Sequence, residues 1–201
     1  PVTHGVVQGS VLGPVLFLLF TNDFTSHVAD GKVIMYADDT QFIDSDTPCN
    51  LNVLKTRIEG TLSTALTWFT QNSLKINPAK TEFIVFKTRN RRIDDISIKF
   101  GDQDLVACSK AKVLGVVIDS ALTWEHHISL IVRRCYGVLV GLCKLRKRLS
   151  RELRVFLIEA LVFPLIRYCA CVWGGACLKE KVRLQKVVHF AARIISNLKR
   201  S

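Results

Sequence analysis

The amino-acid sequence predicts an α+β fold for residues 1–120, followed by an all-helical region at residues 121–201. Short apolar segments of strand length alternate with helical patterns as far as residue 120, and only helical periodicity follows. The charge changes near the same place, because residues 1–124 contain 12 Lys and Arg against 13 Asp and Glu, whereas residues 125–201 contain 16 against 4. Since 49% of the 201 residues are apolar, the chain can bury one sizeable core.

The first expected elements are a polar turn and an apolar helix. Glycine and polar residues favour a turn at Gly5–Ser10, and Pro14 suits the first turn of a helix that continues through Val15–Phe20. We expect this apolar helix to be buried. The uncharged run Val11–Phe20 is about half as long as a membrane span, so no membrane segment is predicted.

A β-hairpin with an acidic tip is predicted next. Val33–Tyr36 and Gln41–Ile43 are short apolar segments of strand length, and they enclose the sequence Ala37-Asp38-Asp39-Thr40. Because surface turns are seldom flanked by segments this apolar, we expect the hairpin to be buried and rigid.

The rest of the first region combines one long helix with further strands. Apolar residues recur at helical spacing from Leu51 to Phe69, and the pattern ends near Asn72. Strands are expected afterwards at Phe83–Phe86, Ile96–Phe100 and Val113–Ile118.

Three apolar stripes at helical spacing follow Trp124 and predict three helices. Ser150 is the expected N-cap of the second helix, Pro164 its kink or end, and Gly174-Gly175 the break before the third. The stripes run through Ile128–Leu145, Leu153–Leu165 and Leu184–Leu198.

The helical region has an excess of 12 positive charges, which indicates a polyanionic partner. Without a membrane segment, nucleic acid is the leading candidate, and the alternative is a solvated surface that keeps the helices soluble. The cations beside the apolar stripes, which we expect to face a duplex, are Arg133, Arg134, Lys144, Arg146, Lys147, Arg148, Arg151 and Arg154.

The adjacent carboxylates of Asp38 and Asp39 are candidate metal ligands. Like charges held this close repel one another unless a cation neutralises them, and clustered carboxylate oxygens suit magnesium. A pair of such ions can activate an attacking hydroxyl and stabilise the leaving oxygen in nucleotidyl transfer. The alternative is that the two aspartates are present only because aspartate favours turns.

The cysteines and histidines do not suggest a second metal site. The seven cysteines lack CxxC spacing, and His126-His127 lack partners at metal-ligand spacing. We therefore expect free thiols and structural histidines. Free thiols are typical of a reducing compartment, so we expect an intracellular protein that is not secreted.

The segment Tyr36-Ala37-Asp38-Asp39 resembles the signature tetrapeptide of reverse transcriptases, and Gly5–Pro14 resembles that family's G-V-P-Q-G-S-x-L-G-P motif. Leu66–Thr81 resembles the family's W-x-x-x-N-x-L-x-L-N-x-x-K-T segment, and Leu114–Asp119 its L-G-V-x-I-D strand. Segments at Trp124–Ile128 and Pro164–Cys169 are similar to the helical region of jockey-like and related non-LTR retrotransposons. The resemblance therefore extends, in order, over nearly the whole chain.

The resemblance implies a partial reverse-transcriptase palm at residues 1–120, with the β-hairpin as its active site, and a basic, all-α thumb or connection region at residues 121–201. It implies an RNA-directed DNA polymerase that copies an RNA template from a DNA primer with deoxynucleoside triphosphates. The expected cofactor is two Mg²⁺ ions, with Mn²⁺ as an alternative. A ribonucleoprotein in the nucleus, the cytoplasm or both is the implied location.

The resemblance also implies a role for each matched residue at the hairpin. Asp38 corresponds to the ligand that bridges the metals, and Asp39 to its neighbour. Tyr36 and Ala37 correspond to residues beside the primer terminus and the incoming nucleotide.

Further roles follow from the flanking motifs. Gln8, Gly9 and Ser10 correspond to residues that pack against the templating pair, where glycine permits close backbone approach. Lys80 corresponds to a general acid that protonates the departing pyrophosphate. Without the resemblance, its sequence context would indicate only a solvated lysine in a turn. The strand Leu114–Ile118 corresponds to a segment that holds the primer.

The chain departs from the family pattern in two respects. Val7 stands where the family has proline, and the motif with the first metal-binding aspartate lies upstream of Pro1. We therefore expect a fragment that adds no nucleotides by itself. The alternative function is a non-catalytic remnant that binds nucleic acid through residues 125–201.

Overall fold

The structure is a computed structural model that describes residues 5, 9–28, 32–87 and 96–197. The chain divides into two compact units, and the first combines residues 1–83 with 93–107. The second combines residues 84–92 with 108–201. Both helices and small sheets are present, which confirms the α+β class. The domain division at residue 120 stays a prediction.

In the described part of the first unit, the first elements are the short helices α1 (Gly13–Phe20) and α2 (Phe24–His27), followed by the strands β1 (Lys32–Tyr36) and β2 (Asp39–Ile43). The long helix α3 (Leu51–Gln71) comes next, as its apolar spacing predicts. A small sheet with the order β3-β5-β4 then contains β3 (Phe83–Ile84), β4 (Ser97–Phe100) and β5 (Gln103–Cys108).

Aromatic packing forms the core around the hairpin. Phe24 of α2 is fully buried, and its ring centroid lies 4.9 Å from that of Trp68 and 4.8 Å from that of Phe69, both on α3. Val33 and Met35, from alternate positions of β1, pack against this cluster. Burial of several large rings gives this cluster most of its stability, since each ring removes about 150–250 Å² from water.

The apolar helix α1 is exposed, so the expectation of a buried helix is wrong for this structure. Pro14 lies in its first turn as predicted, and the Gly13 N–H donates a hydrogen bond to Ser10 Oγ at 3.0 Å. Leu18 and Leu19 are nevertheless 57% and 68% exposed. Since α1 has no polar side chain, it presents apolar groups in every direction, and the described elements cover only part of it.

The second unit starts with a second hairpin where we predicted a single strand at Val113–Ile118. Strands β6 (Lys110–Val113) and β7 (Val116–Asp119) pair antiparallel. Their turn residues, Leu114 and Gly115, both have positive φ, 46° and 84°, as a type I′ turn requires. The Leu-Gly pair is therefore a turn signal inside an otherwise continuous apolar segment.

In the described part of the second unit, five helices follow: α4 (Glu125–Leu145), α5 (Arg151–Leu161), α6 (Phe163–Arg167), α7 (Ala170–Trp173) and α8 (Leu178–Ile195). Ser150 is the N-cap of α5, because its Oγ accepts a hydrogen bond from the Leu153 N–H at 3.2 Å. The second predicted helix is in fact two, since the chain breaks at Val162 just before Pro164.

Helices α4 and α8 pack side by side in the same direction. Glu125 and Lys179, at their amino-terminal ends, form an ion pair at 3.7 Å. Val140 and Phe190, near their carboxyl-terminal ends, line the same cleft. The carboxyl-terminal ends of α4 and α8 therefore lie together at one end of the pair.

A buried aspartate joins β7 to α4. The Asp119 carboxylate accepts hydrogen bonds from the backbone N–H groups of Ala121, Thr123 and Trp124 and from the Thr123 hydroxyl. Burial acts to raise the pKa of Asp119, but these hydrogen bonds outweigh it and leave the pKa below its ordinary value. Asp119 thereby stabilises a turn in which Leu122 and Trp124 have left-handed backbones.

His127, in the first turn of α4, is buried in its neutral form. The Val117 N–H donates to His127 Nδ1 at 3.3 Å, so the ring proton belongs on Nε2. Among the described residues, Nε2 has no hydrogen-bond partner. Burial, and then the nearby charge of Arg134, lower the pKa of His127 below its ordinary value.

We predict that the chain loses stability as the pH falls below about 6.5, the pKa of an exposed histidine. The unfolded chain then takes up a proton that the folded chain excludes from His127, so the free energy of unfolding decreases by at most about 1.4 kcal/mol per pH unit. Guanidinium unfolding at pH 7.5 and pH 5.5 measures this change.

The matched control is the exposed neighbour His126. His127→Gln should flatten the pH dependence, because glutamine can still accept from Val117 but does not titrate. His126→Gln should leave the pH dependence as it is. Equal pH dependence in the two variants would contradict the assignment to His127.

Candidate active site

The register of the first hairpin fixes the positions of the two aspartates. Tyr36 pairs with Asp39, so Ala37 and Asp38 alone form the turn. Ala37 has φ of 53°, in the left-handed region that favours glycine, and costs about 1 kcal/mol or more there. The two carboxylates are thus held on successive residues at the tip, as the sequence predicts.

The outer face of the hairpin combines acidic and apolar groups. Residues directly opposite in the ladder share a face, so Tyr36 and Asp39 lie side by side on the face that Ile34 also occupies. Tyr36 is 64% exposed and Ile34 39% exposed. The expectation of a buried hairpin is therefore wrong, because only one face packs on the protein and the tip is open to solvent.

An arginine that the sequence interpretation missed anchors the base of the hairpin. Arg57 of α3 donates to both carboxylate oxygens of Asp44, at 2.5 and 2.8 Å, and reaches Asp46 at 3.4 Å. The hydrogen bonds from Arg57 hold the pKa of Asp44 below its ordinary value, although partial burial opposes them. The sequence contains a signal for this contact, because the acidic residues Asp44 and Asp46 directly follow β2 and precede the helix that contains Arg57.

The carboxylates of Asp38 and Asp39, at the tip of the hairpin, have no counterpart of the Arg57 contact among the described residues. Within the described residues, neither Asp38 nor Asp39 takes part in an ion pair, and both are exposed. Their oxygens suit a hard divalent cation. The described part of the chain contains no group of three or more acidic, histidine or cysteine side chains that could hold a metal, so these two residues supply only part of a coordination shell.

The glycine-rich segment before α1 is described only in part. Gln8 lies outside the described residues. Gly9 has φ of 83°, which requires glycine, and a Cβ there would meet nothing within 4 Å. Ser10 has a structural role as well, since its hydroxyl accepts from Gly13 at the start of α1.

Lys80 is exposed at the end of a short 3-10 turn, Pro78–Lys80. The Asn77 side chain accepts a hydrogen bond from the Ala79 N–H and initiates this turn. The ion pairs of the described residues do not include Lys80. Its role as a general acid stays a prediction.

The structure corrects one of the eight cations expected to face a duplex. Arg154 is only 8% exposed, and its guanidinium donates to the backbone carbonyl oxygens of Ile194, at 2.8 Å, and Ser150, at 3.3 Å. It thus satisfies a carbonyl at the end of α8, where helices lack internal donors. Arg154 is a structural residue. Its side chain lies beside an apolar stripe because it is buried with that stripe and does not face solvent.

The other seven cations reach solvent, and five of them surround the end of α4 and the start of α5. We name these five residues the basic corner: Lys144, Arg146, Lys147, Arg148 and Arg151. The sequence interpretation missed Arg193, which extends this group from α8 and lies over the Phe190 ring at 5.8 Å. The three-residue spacing of Phe190 and Arg193 on a helix could have indicated it.

Among the helices that the structure describes, none is long and apolar enough to cross a bilayer. No solved structure matches the chain at a significant level. Curated sequences do. The chain is 32% identical over 204 residues to a probable RNA-directed DNA polymerase from transposon BS of Drosophila melanogaster, and 27% identical to the RNA-directed DNA polymerase from mobile element jockey of Drosophila funebris.

These similarities cover 96% of this chain but only 22% of each of those two relatives, so the chain spans about a fifth of their length. A third relative, a probable RNA-directed DNA polymerase from transposon X-element of Drosophila melanogaster, is 26% identical. Residues 1–118 match the family described as reverse transcriptase (RNA-dependent DNA polymerase). The chain therefore belongs to the reverse transcriptase family, and the curated relatives that it resembles come from Drosophila transposable elements, the mobile element jockey among them.

Proposed function

We propose that this chain contributes the metal-binding carboxylates and a nucleic-acid-binding surface to an RNA-directed DNA polymerase that works by two-metal nucleotidyl transfer. The observation that carries the proposal is the pair Asp38 and Asp39, fixed at the tip of an anchored hairpin where no ion pair among the described residues includes them. Membership in the reverse transcriptase family and the names of the curated relatives support the same reaction.

The hairpin provides the positioning that this reaction needs. Asp38 and Asp39 would hold two Mg²⁺ ions, or Mn²⁺ as an alternative, together with ligands from outside the described residues. When bound, such ions lower the pKa of the attacking hydroxyl and neutralise the charge on the leaving pyrophosphate. The apolar inner face and the Arg57 clamp keep the tip in one place, so that the carboxylates need not reorganise during the reaction.

The neighbouring residues complete the site in this proposal. Tyr36 and Ala37 contact the primer terminus and the incoming nucleotide from the open face of the hairpin. Gly9, with Gln8 and Ser10, packs against the templating pair. Lys80 gives a proton to the departing pyrophosphate, for which its exposed ammonium has the right chemistry.

The seven cations that reach solvent supply the affinity for the template and primer. Each contact between a cation and a phosphate releases counterions, and this release drives association with little regard to sequence. The substrates are an RNA template, a DNA primer and deoxynucleoside triphosphates. A complex with its RNA inside the cell, in the nucleus, the cytoplasm or both, is the setting that these substrates imply.

The 201 residues alone should bind nucleic acid without extending a primer. Two carboxylates do not complete a two-metal site, and the described part of the chain lacks a third acidic residue beside them. The isolated chain should therefore behave like the alternative considered above, a non-catalytic remnant that binds nucleic acid.

In the full-length polymerase that contains this chain, we predict that Asp38→Asn abolishes primer extension with little effect on template-primer affinity. Loss of a metal ligand removes stabilisation made mainly in the transition state. Primer-extension rates and nucleic-acid binding measured on the same preparation test this prediction.

Asp104→Asn is the matched control, because Asp104 is an exposed aspartate of the same unit on β5. It should keep its primer-extension rate. Near-normal extension by Asp38→Asn, or an equal loss in both variants, would contradict the assignment of the metal ligands.

We also predict that the 201-residue chain binds an RNA–DNA hybrid with a slope of log affinity against log salt of about −4 to −5, as expected for about five phosphate contacts. Arg146→Ala, Lys147→Ala and Arg148→Ala combined should reduce the slope by up to about three units, equally for different sequences. Affinity titrations at several salt concentrations measure the slope. A salt-independent association would mean that the basic corner is only a solvated surface.

A further inference from the structure

A concave site lies in the second unit where α4 and α8 end together. This α4–α8 cleft has a volume of about 410 Å³, within the range of about 300–1,000 Å³ that is usual for ligand clefts. Its floor is apolar and contains Val140, Phe190 and Ile194. Its rim is cationic and contains Lys144, Arg146, Lys147 and Arg193.

We propose that the α4–α8 cleft binds one unpaired nucleotide of a single-stranded nucleic acid, with the base on the apolar floor and a phosphate at the cationic rim. The inference rests on the proposed function in one respect, because it assumes that the chain meets nucleic acid. The inference goes further because it assigns a particular cleft to nucleotide binding and states that the bound nucleic acid is single-stranded.

The charges at the cleft favour an anion. Two helices end there, and each carboxyl-terminal end carries about half a negative charge, which gives about one negative charge in total. The four cations of the rim exceed this, and within the described residues none of them forms an ion pair with a carboxylate. Stabilising the two helix ends therefore accounts for only part of the positive charge.

The floor favours a flat, apolar group beside that anion. Phe190 is half-buried, and two side chains contact its ring. The centroid of the Tyr136 ring lies 5.8 Å from that of Phe190, and the Arg193 guanidinium lies over the Phe190 ring. Bases of single strands bind aromatic rings and the planes of arginine side chains in this way. A phosphate alone would leave the apolar floor exposed to water.

The concave shape distinguishes single strands from duplexes. In a duplex, neighbouring bases cover one another, so a base cannot enter a cleft between two helices unless it is unpaired and unstacked. A duplex would contact only the outer cations of the basic corner. The cleft should therefore prefer single strands to duplexes. Single-stranded RNA and single-stranded DNA both offer an unstacked base beside a phosphate, so either could bind.

The test compares two substitutions that make the same chemical change. Val140→Glu places a carboxylate on the floor of the cleft, and Val182→Glu places one elsewhere, on α8. The two valines have the same exposure, 46% and 45%, and both lie in helices. Both variants change the net charge equally, so any difference between them reports the cleft and not the overall charge.

Fluorescence anisotropy with the 201-residue chain would use three probes: an oligouridylate, an oligothymidylate of equal length and a blunt RNA–DNA hybrid. Val140→Glu should bind single strands about tenfold more weakly than Val182→Glu, as expected for loss of one stacked base. For the hybrid, the difference between the two variants should be clearly smaller than for single strands, because the hybrid contacts the outer cations and places no base in the cleft. A loss with either single strand supports the proposal and identifies the strand.

Two results separate failure of this inference from failure of the proposed function. If the unsubstituted chain binds nucleic acid but the two glutamate variants bind single strands equally, the cleft proposal is overturned and the proposed function stands. If the unsubstituted chain binds none of the three probes, both fail.

A second readout does not depend on a substitution. Cys143 lines the cleft, whereas Cys177 is exposed at the start of α8. Bound oligouridylate should slow alkylation of Cys143 by iodoacetamide at least severalfold while leaving Cys177 unchanged, as measured by mass spectrometry. Unchanged alkylation of Cys143 at a saturating oligonucleotide concentration would overturn the proposal.

Discussion

The candidate active site depends on the pairing of Tyr36 with Asp39, which leaves a turn of only two residues. This register places two like charges on successive residues at an exposed tip, where they repel one another. Two contacts hold the hairpin in that arrangement: aromatic packing beneath its inner face and the bidentate contact of Arg57 with Asp44. The strained backbone of Ala37 belongs to the same arrangement, because the pairing on both sides of the turn forces it. Among the described residues no cation forms an ion pair with these carboxylates, and a bound divalent cation would relieve the repulsion between them.

Much of this arrangement could be predicted from the sequence, and its failures have physical causes. Period-two and helical patterns predicted β1, β2, α3 and α4, because each has an apolar face against a core. The Leu114-Gly115 turn was missed, since the apolar pattern continues across it, whereas the helix break next to Pro164 was expected because proline interrupts helices. The apolar sequence of α1 wrongly predicted that this helix is buried, because burial depends on which elements are present to cover a helix.

Charged residues were the least predictable from sequence. Arg154 has the same helical spacing as exposed cations, yet it is buried because a carbonyl at the end of α8 needs a donor. Arg57 was missed because its acidic partners are 11 and 13 residues away and approach it only when the chain folds. The spacing of Arg193 from Phe190 indicates that the two share a helix face, but only the parallel packing of α4 and α8 brings Arg193 to the basic corner. Tertiary contacts therefore decide whether a given arginine is a cap, a clamp or a binding group.

If the carboxylates of Asp38 and Asp39 bind a divalent cation at the hairpin tip, Mn²⁺ should bind there before it binds at other exposed aspartates. Titration of the isotope-labelled chain with Mn²⁺, followed by amide NMR spectra, detects this binding, because the paramagnetic ion broadens the signals of nearby nuclei. We expect the amide signals of Tyr36–Asp39 to broaden before those of the exposed Asp102 and Asp104, and the Asp38→Asn, Asp39→Asn double variant to lose this early broadening. Equal broadening at all exposed aspartates, or an unchanged pattern in the double variant, would contradict the claim.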